Sequence, residues 1–190
     1  MTEVEIKLPV PDTEKIISGL LEMGFHPGMI LSESDTYFDN DGEQIRKNGE
    51  ALRIRQTRDS KTGETQNIIT FKGQKMDEVS MTRQELETEI GDAETCLQIL
   101  SAIGFTPVQP KVMKHRQTFH CGEITACIDH VQGLGSFLEL EILIEEDSCK
   151  DAALTKIKKI LTRLGFQMGD TTRISYLGML KKAECSKNTP

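Results

Sequence analysis

The chain has 190 residues, 37% of them hydrophobic and 28% charged, with a formal net charge of -7. That length fits one domain with a single sizeable core, and that balance excludes extended disorder. An acidic chain offers no broad basic surface to nucleic acid or to an anionic membrane, so neither is an expected partner.

The opening "MTEVEIKLPV" lacks a signal-peptide pattern, and no apolar run approaches the roughly 18 residues of a membrane span. A cytoplasmic location is therefore expected. Five cysteines (Cys96, Cys121, Cys127, Cys149, Cys185) contain no C-x-x-C and read as reduced thiols. The four histidines (His26, His115, His120, His130) lack metal-ligand spacing and read as ordinary polar residues.

In chain order, three Glu-x-Glu-Ile segments (3–6, 87–90 and 139–142) each run into a stretch with apolar residues at helical spacing. Each stretch closes on a Gly-Phe pair, at Gly24-Phe25, Gly104-Phe105 and Gly165-Phe166, where a helix cap is expected. A strand-then-helix unit thus occurs three times. Between the units, alternating segments predict strands at 35–39, 51–57, 67–72, 81–90, 114–120, 123–129 and 136–144, about eight in all with the N-terminal strand. "GLGSF" precedes the Glu139 strand and reads as a turn rather than a phosphate-binding loop. A last helix is predicted over 171–182. Residues 1–182 are expected to form one domain and 183–190 a disordered tail.

Side chains alternate faces along a strand, so each strand divides into two sets. One set is apolar: Val4, Ile6, Leu8; Leu52, Ile54; Leu86, Ile90; Leu138, Leu140, Ile142, Ile144. The other is charged: Glu3, Glu5, Lys7; Arg53, Arg55; Arg83, Glu85, Glu87, Glu89; Lys114, Arg116; Asp129; Glu139, Glu141, with Lys72 ending its strand. The helices need the apolar face, so the charged face turns away from them. An open sheet facing water and a barrel with a wet, charged interior both satisfy this.

Carboxylates at i and i+2 repel one another, and this chain repeats such pairs beside repeated basic pairs. The pattern suggests separate cation-binding and anion-binding sectors. Oxygen-rich sites suit Mg²⁺ or Mn²⁺, and the number of Lys and Arg donors exceeds what one carboxylate ligand needs. The ligand so described is a triphosphate.

The segment Glu3-Val4-Glu5-Ile6-Lys7 resembles the E-x-E-x-K signature of the CYTH superfamily, the triphosphate tunnel metalloenzymes. The similarity continues in order through "ALRIR", "TFKG", "RQELETEI", "KHRQTF", "IDHVQGLGSFLELEI" and "ISYLGML". It implies an α+β fold, an eight-stranded antiparallel barrel with a charged interior and helices outside. It also implies that Glu3, Glu5, Glu139 and Glu141, assisted by Asp129, hold divalent metal. Lys7, Arg53, Arg55, Lys72, Arg83, Lys114 and Arg116 would then cradle the triphosphate, with Glu87 and Glu89 as further acidic site positions. Glu85 reads as an ion-pair partner of Arg83 or another basic wall residue.

"DTYFD" and "VQGLGSFLELE" look most like the class IV adenylyl cyclase branch, which converts ATP to cyclic AMP and pyrophosphate. Other branches hydrolyse thiamine triphosphate or inorganic tripolyphosphate, and a non-catalytic phosphate-binding module is a third reading. No general base is assigned, and a monomer and a homodimer are both expected possibilities.

Overall fold

The computed structural model describes residues 2–187. Eight strands form a closed antiparallel barrel: β1 (Thr2–Pro9), β2 (His26–Asn40), β3 (Ala51–Asp59), β4 (Thr65–Lys72), β5 (Arg83–Glu89), β6 (Phe105–Cys121), β7 (Ile124–Val131) and β8 (Gly135–Ile144). Around the barrel the order is β1-β5-β4-β3-β2-β6-β7-β8. Five helices accompany it: α1 (Thr13–Glu22), α2 (Gln44–Lys47), α3 (Ala93–Ala102), α4 (Lys150–Arg163) and α5 (Tyr176–Lys187). The barrel, rather than the open sheet, is the arrangement adopted.

The strand period explains the layering. Val4, Ile6 and Leu8 of β1 and Leu138, Leu140 and Ile142 of β8 point outward and are almost fully buried. They meet Ile16 and Leu20 of α1 and Leu154, Ile157 and Leu161 of α4 in the main core. A smaller cluster joins Leu100 of α3 to Phe38 and Ile54. Asp12 caps α1 by accepting from the Lys15 amide at 3.0 Å, and Asp92 caps α3 through the Thr95 amide at 2.8 Å. The helices before Gly24, Gly104 and Gly165 stop as expected, with φ of 87°, 93° and 87°, values a side chain would strain.

Each of the three Glu-x-Glu-Ile units is a strand followed by a helix: β1–α1, β5–α3 and β8–α4. In the barrel these strands are neighbours, β5 beside β1 and β1 beside β8. The β1/β8 ladder runs the full strand, from Thr2↔Ile144 to Pro9↔Phe137. The β1/β5 seam holds by two pairs, Thr2↔Gln84 and Glu3↔Arg83, with the Met81 amide donating to the Glu5 carbonyl at 2.9 Å.

Four expectations need correction. Strands β2 and β6 extend well beyond 35–39 and 114–120, because long partners stabilise stretches that carry Pro27, Gly28, Pro107 and Pro110. Leu86 is 56% exposed, since α3 packs over β6, β3 and the end of β2 and leaves the outer face of β5 open. The last helix begins at Tyr176 instead of 171, because the Thr172 amide donates to the Lys7 carbonyl at 2.7 Å and Arg173 donates to the Ser80 and Asp77 carbonyls. The same helix continues through 183–187, where Ala183 and Glu184 favour it; the rest of the stretch expected to be disordered, 188–190, lies outside the described residues. No helix among the described residues is long and apolar enough to cross a membrane.

Candidate active site

With the apolar residues turned out to the helices, the alternate residues turn into the barrel. They line a tunnel of about 460 Å³. Its wall includes Glu3, Glu5, Lys7, Arg53, Arg55, Lys72, Arg83, Lys114, Arg116, Glu139 and Glu141, together with Glu85 and Glu87. Asp129 has no exposed surface, covered by Lys114, Arg116 and Tyr176, and Glu89, exposed and accepting from Gln66, is not part of the tunnel lining.

Most acidic and basic residues of the wall occupy different strands, the exceptions being Lys7 on β1 and Arg83 on β5. Adjacency of β5, β1 and β8 makes one continuous acidic sector. Opposite it, the basic strands β3 and β6 flank β2, whose Glu33 and Asp35 supply their counter-ions. Asp35 accepts from Arg55 Nε at 2.7 Å and Nη2 at 2.8 Å, and Arg53 Nη1 lies 3.5 Å from its Oδ2. Glu33 Oε2 sits 3.1 Å from Arg55 Nη1 and 3.2 Å from Lys114 Nζ, close enough for ion pairing although neither contact is an aligned hydrogen bond. Sequence alternation does not single out Glu33 and Asp35, because Ser32, Ser34 and Thr36 on the opposite face are polar too. Their only signal is Glu33, Asp35 and Tyr37 at every second position.

Burial would raise the pKa of Asp35, but Arg55 and Arg53 outweigh it and hold the carboxyl well below its ordinary range. The folded-state value lies beneath the unfolded value of about 3.9, so the contribution to stability is complete above that pH and is lost as pH falls towards the folded value. Urea-unfolding stability is expected to decline below about pH 4. In Asp35→Asn the decline should be shallower; an unchanged slope would remove Asp35 as its source.

Among the acids at the tunnel, Asp129 is the most heavily bonded. It accepts from Lys114 Nζ at 2.9 Å, from Arg116 Nε and Nη2 at 2.6 Å each, and from the Tyr176 hydroxyl at 3.0 Å. Burial opposes its ionisation, yet Arg116 and Lys114 keep its pKa below the ordinary value. With both oxygens so engaged, Asp129 orients two tunnel cations from behind. Tyr176 also places its ring 4.0 Å from Lys7 Nζ, a cation-π contact, and packs edge-on to Phe137 with centroids 5.1 Å apart. No strand pattern could have indicated Tyr176, which arrives from α5.

Two groups within the tunnel are short of opposite charge. On the acidic side, Glu139 is neutralised by Lys7, 3.0 Å away, and by Arg116, and Glu3 by Lys72 at 2.5 Å. Glu5 Oε1 is buried without a hydrogen bond, with Lys7 Nζ 3.7 Å away. Burial and the charge of Glu139 push the Glu5 carboxyl up, and burial with Glu3 pushes Glu141 up to about 8. On the basic side, Arg83 is 6% exposed and forms no side-chain hydrogen bond or ion pair among the described residues. The buried Arg53 Nε likewise lacks an acceptor. Lys75, on the β4–β5 loop, is lowered to about 8 by burial and by Arg83 and Arg173. Glu85 pairs with Lys72 at 3.1 Å and Arg53 at 3.7 Å, the wall partnership expected of it, though not with Arg83.

The donor set fits a divalent cation: an orphaned buried oxygen on Glu5 and repelling carboxylates on Glu3, Glu139 and Glu141 call for positive charge. Among the described residues no three acidic, His or Cys side chains already converge on one point, since Glu3 and Glu139 are drawn to lysine and arginine. A cation there would compete with Lys72 and Lys7 for them.

The CYTH domain family matches residues 1–176. A Methanocaldococcus jannaschii protein named "Putative adenylate cyclase MJ0240" is 37% identical over 177 residues, covering 93% of this chain and 97% of its own. "Adenylate cyclase CyaB" of Aeromonas hydrophila is 25% identical over 177 residues, covering 92% and 86%. The solved structure of the PH1819 protein from Pyrococcus horikoshii OT3 superposes with a TM-score of 0.86 at 34% identity, covering 95% of this chain and 99% of that one.

Proposed function

The chain belongs to the CYTH domain family, and from that premise we propose that it is a Mg²⁺- or Mn²⁺-dependent enzyme that converts ATP to cyclic AMP and pyrophosphate. The observation that carries this reading is the meeting, in one tunnel, of carboxylates short of positive charge with cations short of negative charge. A metal-triphosphate complex supplies both at once. The choice of cyclisation draws support from the names of the two curated relatives.

Arg83, Lys75, Arg53 and Arg55 bind the phosphate oxygens, Arg as a planar fork and Lys as a point charge. Lys7 and Arg116, held by Glu139 and Asp129, present positive charge at fixed positions, so little reorganisation accompanies charge movement in the transition state. Glu3, Glu5, Glu139 and Glu141 would hold the cation, which would supply charge neutralisation to the phosphates and Lewis acidity to the attacking hydroxyl. In cyclisation the ribose 3'-oxygen bonds to the α-phosphorus as the bond to the leaving pyrophosphate breaks, and the hydroxyl proton passes to solvent.

The test is incubation of the purified protein with ATP, tripolyphosphate and thiamine triphosphate, each with Mg²⁺ and with Mn²⁺, and chromatographic identification of products. Cyclic AMP and pyrophosphate from ATP are expected. Orthophosphate without cyclic AMP would assign the tunnel to hydrolysis, and tight binding without turnover would make it a phosphate-binding module.

A further inference from the structure

The outer face of the barrel carries an arrangement that the tunnel does not use. Register pairs set Ser32 of β2 opposite His115 of β6, His115 opposite His130 of β7, and His130 opposite Ser136 of β8, so one row, Ser-His-His-Ser, crosses four strands. Both histidines are exposed, and both line an outer cavity of about 620 Å³ with Met113 and Gln132. They are too far apart in sequence to form a ligand motif and meet only through the strand ladder.

Hydrogen bonds orient both rings. His115 Nδ1 lies 3.1 Å from Ser32 Oγ, and His130 Nδ1 lies 3.2 Å from Ser136 Oγ. Each ring therefore turns Nδ1 along the row away from the other histidine, and the shape of an imidazole then turns Nε2 toward the other ring. Neither Nε2 has a partner among the described residues. With the serine oxygen accepting from Nδ1–H, the neutral ring holds its lone pair on Nε2, the tautomer and outer hydrogen bond characteristic of a metal-bound imidazole. The other in-register pair, His26 and His120, lacks this freedom: His120 Nε2 faces Gly28, where a Cβ would come within 2.8 Å of it.

We propose that His115 and His130 chelate a borderline-soft transition cation, copper in preference to nickel or zinc, at a site separate from the tunnel. Residues facing one another across two strands hold their Cβ atoms about 4.5–5.5 Å apart, within the span of two imidazoles on one ion. Neutral nitrogen donors suit copper, nickel and zinc, whereas Mg²⁺ demands oxygen, so this ion differs from the one the carboxylates fit. Among the described residues no third His, Cys, Asp or Glu joins the pair. The remaining positions fall to water, to the thioether of Met113, two residues before His115 on the same face, and to the side-chain oxygen of Gln132, whose amide donates to the Met113 carbonyl at 2.9 Å. A thioether beside imidazoles favours copper. Arg58 lines the same cavity but extends its guanidinium toward the β3–β4 turn, where a Cβ on Gly63 would stand 4.0 Å from its Nη2.

The experiment is titration of CuCl₂ into the untagged protein, with excess Mg²⁺ present to occupy the carboxylates, for wild type, His115→Gln, His130→Gln and His120→Gln. Calorimetry gives the affinity, and the electron paramagnetic resonance of bound Cu²⁺ shows hyperfine structure from its nitrogen ligands. Wild type is expected to bind Cu²⁺ with both imidazoles in that spectrum. His115→Gln and His130→Gln should each weaken binding about tenfold or more and remove one nitrogen, while His120→Gln stays within about twofold of wild type. All three histidines are exposed, and an unchanged melting temperature without copper verifies that each variant is folded. No binding by wild type, binding that survives either substitution in the pair, or equal weakening in all three variants would overturn the site.

Discussion

Glu5→Gln is expected to lower turnover of ATP by about 10³-fold or more, the effect of removing a central electrostatic group from a preorganised site, while the metal-free protein unfolds at the same temperature or higher. The two effects have one cause. Glu5 is 6% exposed, one of its oxygens accepts no hydrogen bond, and Glu139 and Glu3 repel its charge. An ionised carboxylate in that setting weakens the fold unless a cation joins it, and glutamine keeps the shape without the charge. Melting curves with and without Mg²⁺ supply the check. Wild type should gain stability from the ion and Glu5→Gln should gain little. Full activity in the variant would remove Glu5 from the metal site.

Asp129→Asn has the opposite signature. Removing one partner from a buried ionic network costs about 3–5 kcal/mol, a large share of the roughly 5–15 kcal/mol that holds a domain together. Here Lys114 and Arg116 would both lose their principal acceptor. Urea denaturation should register that loss, and activity should fall with it because those cations turn away from the tunnel. Tyr176→Phe deletes one hydrogen bond to the same carboxylate and should cost less, about 1.5–3 kcal/mol. If Asp129→Asn keeps full stability but loses Mg²⁺ binding, Asp129 is a metal ligand, as the family resemblance suggests, and not an anchor.

The contrast between Glu5 and Asp129 marks where sequence information stops. Strand alternation places both on the inner face, since a period of two needs only the backbone to be extended. It says nothing about how many donors reach each carboxylate, which depends on strands far away in the chain. For the same reason the acidic sector is recognisable from three short repeats, whereas its continuity depends on β5, β1 and β8 being neighbours. Glu33 and Asp35 escape notice because polar residues occupy both faces of β2. Lys75 and Tyr176 escape it because they enter from a loop and a helix, where no period applies. Proline and glycine near the ends of β2 and β6 read as breakers and conceal how long those strands are.

The lopsided pairing of β1 has a consequence for how the molecule comes into being. β1 shares a full-length ladder with β8 and a two-pair seam with β5, so its hydrogen-bonding partner lies at the other end of the barrel sequence. Contacts of such high sequence separation form late, because the chain between them must be ordered first. During synthesis Val4, Ile6 and Leu8 wait, uncovered, for the strand that will shield them, and Glu3 and Glu5 wait for Glu139 and Glu141. Ring closure and assembly of the carboxylate cluster are therefore a single event: until β8 arrives the nascent chain has neither a sealed wall nor the four carboxylates side by side.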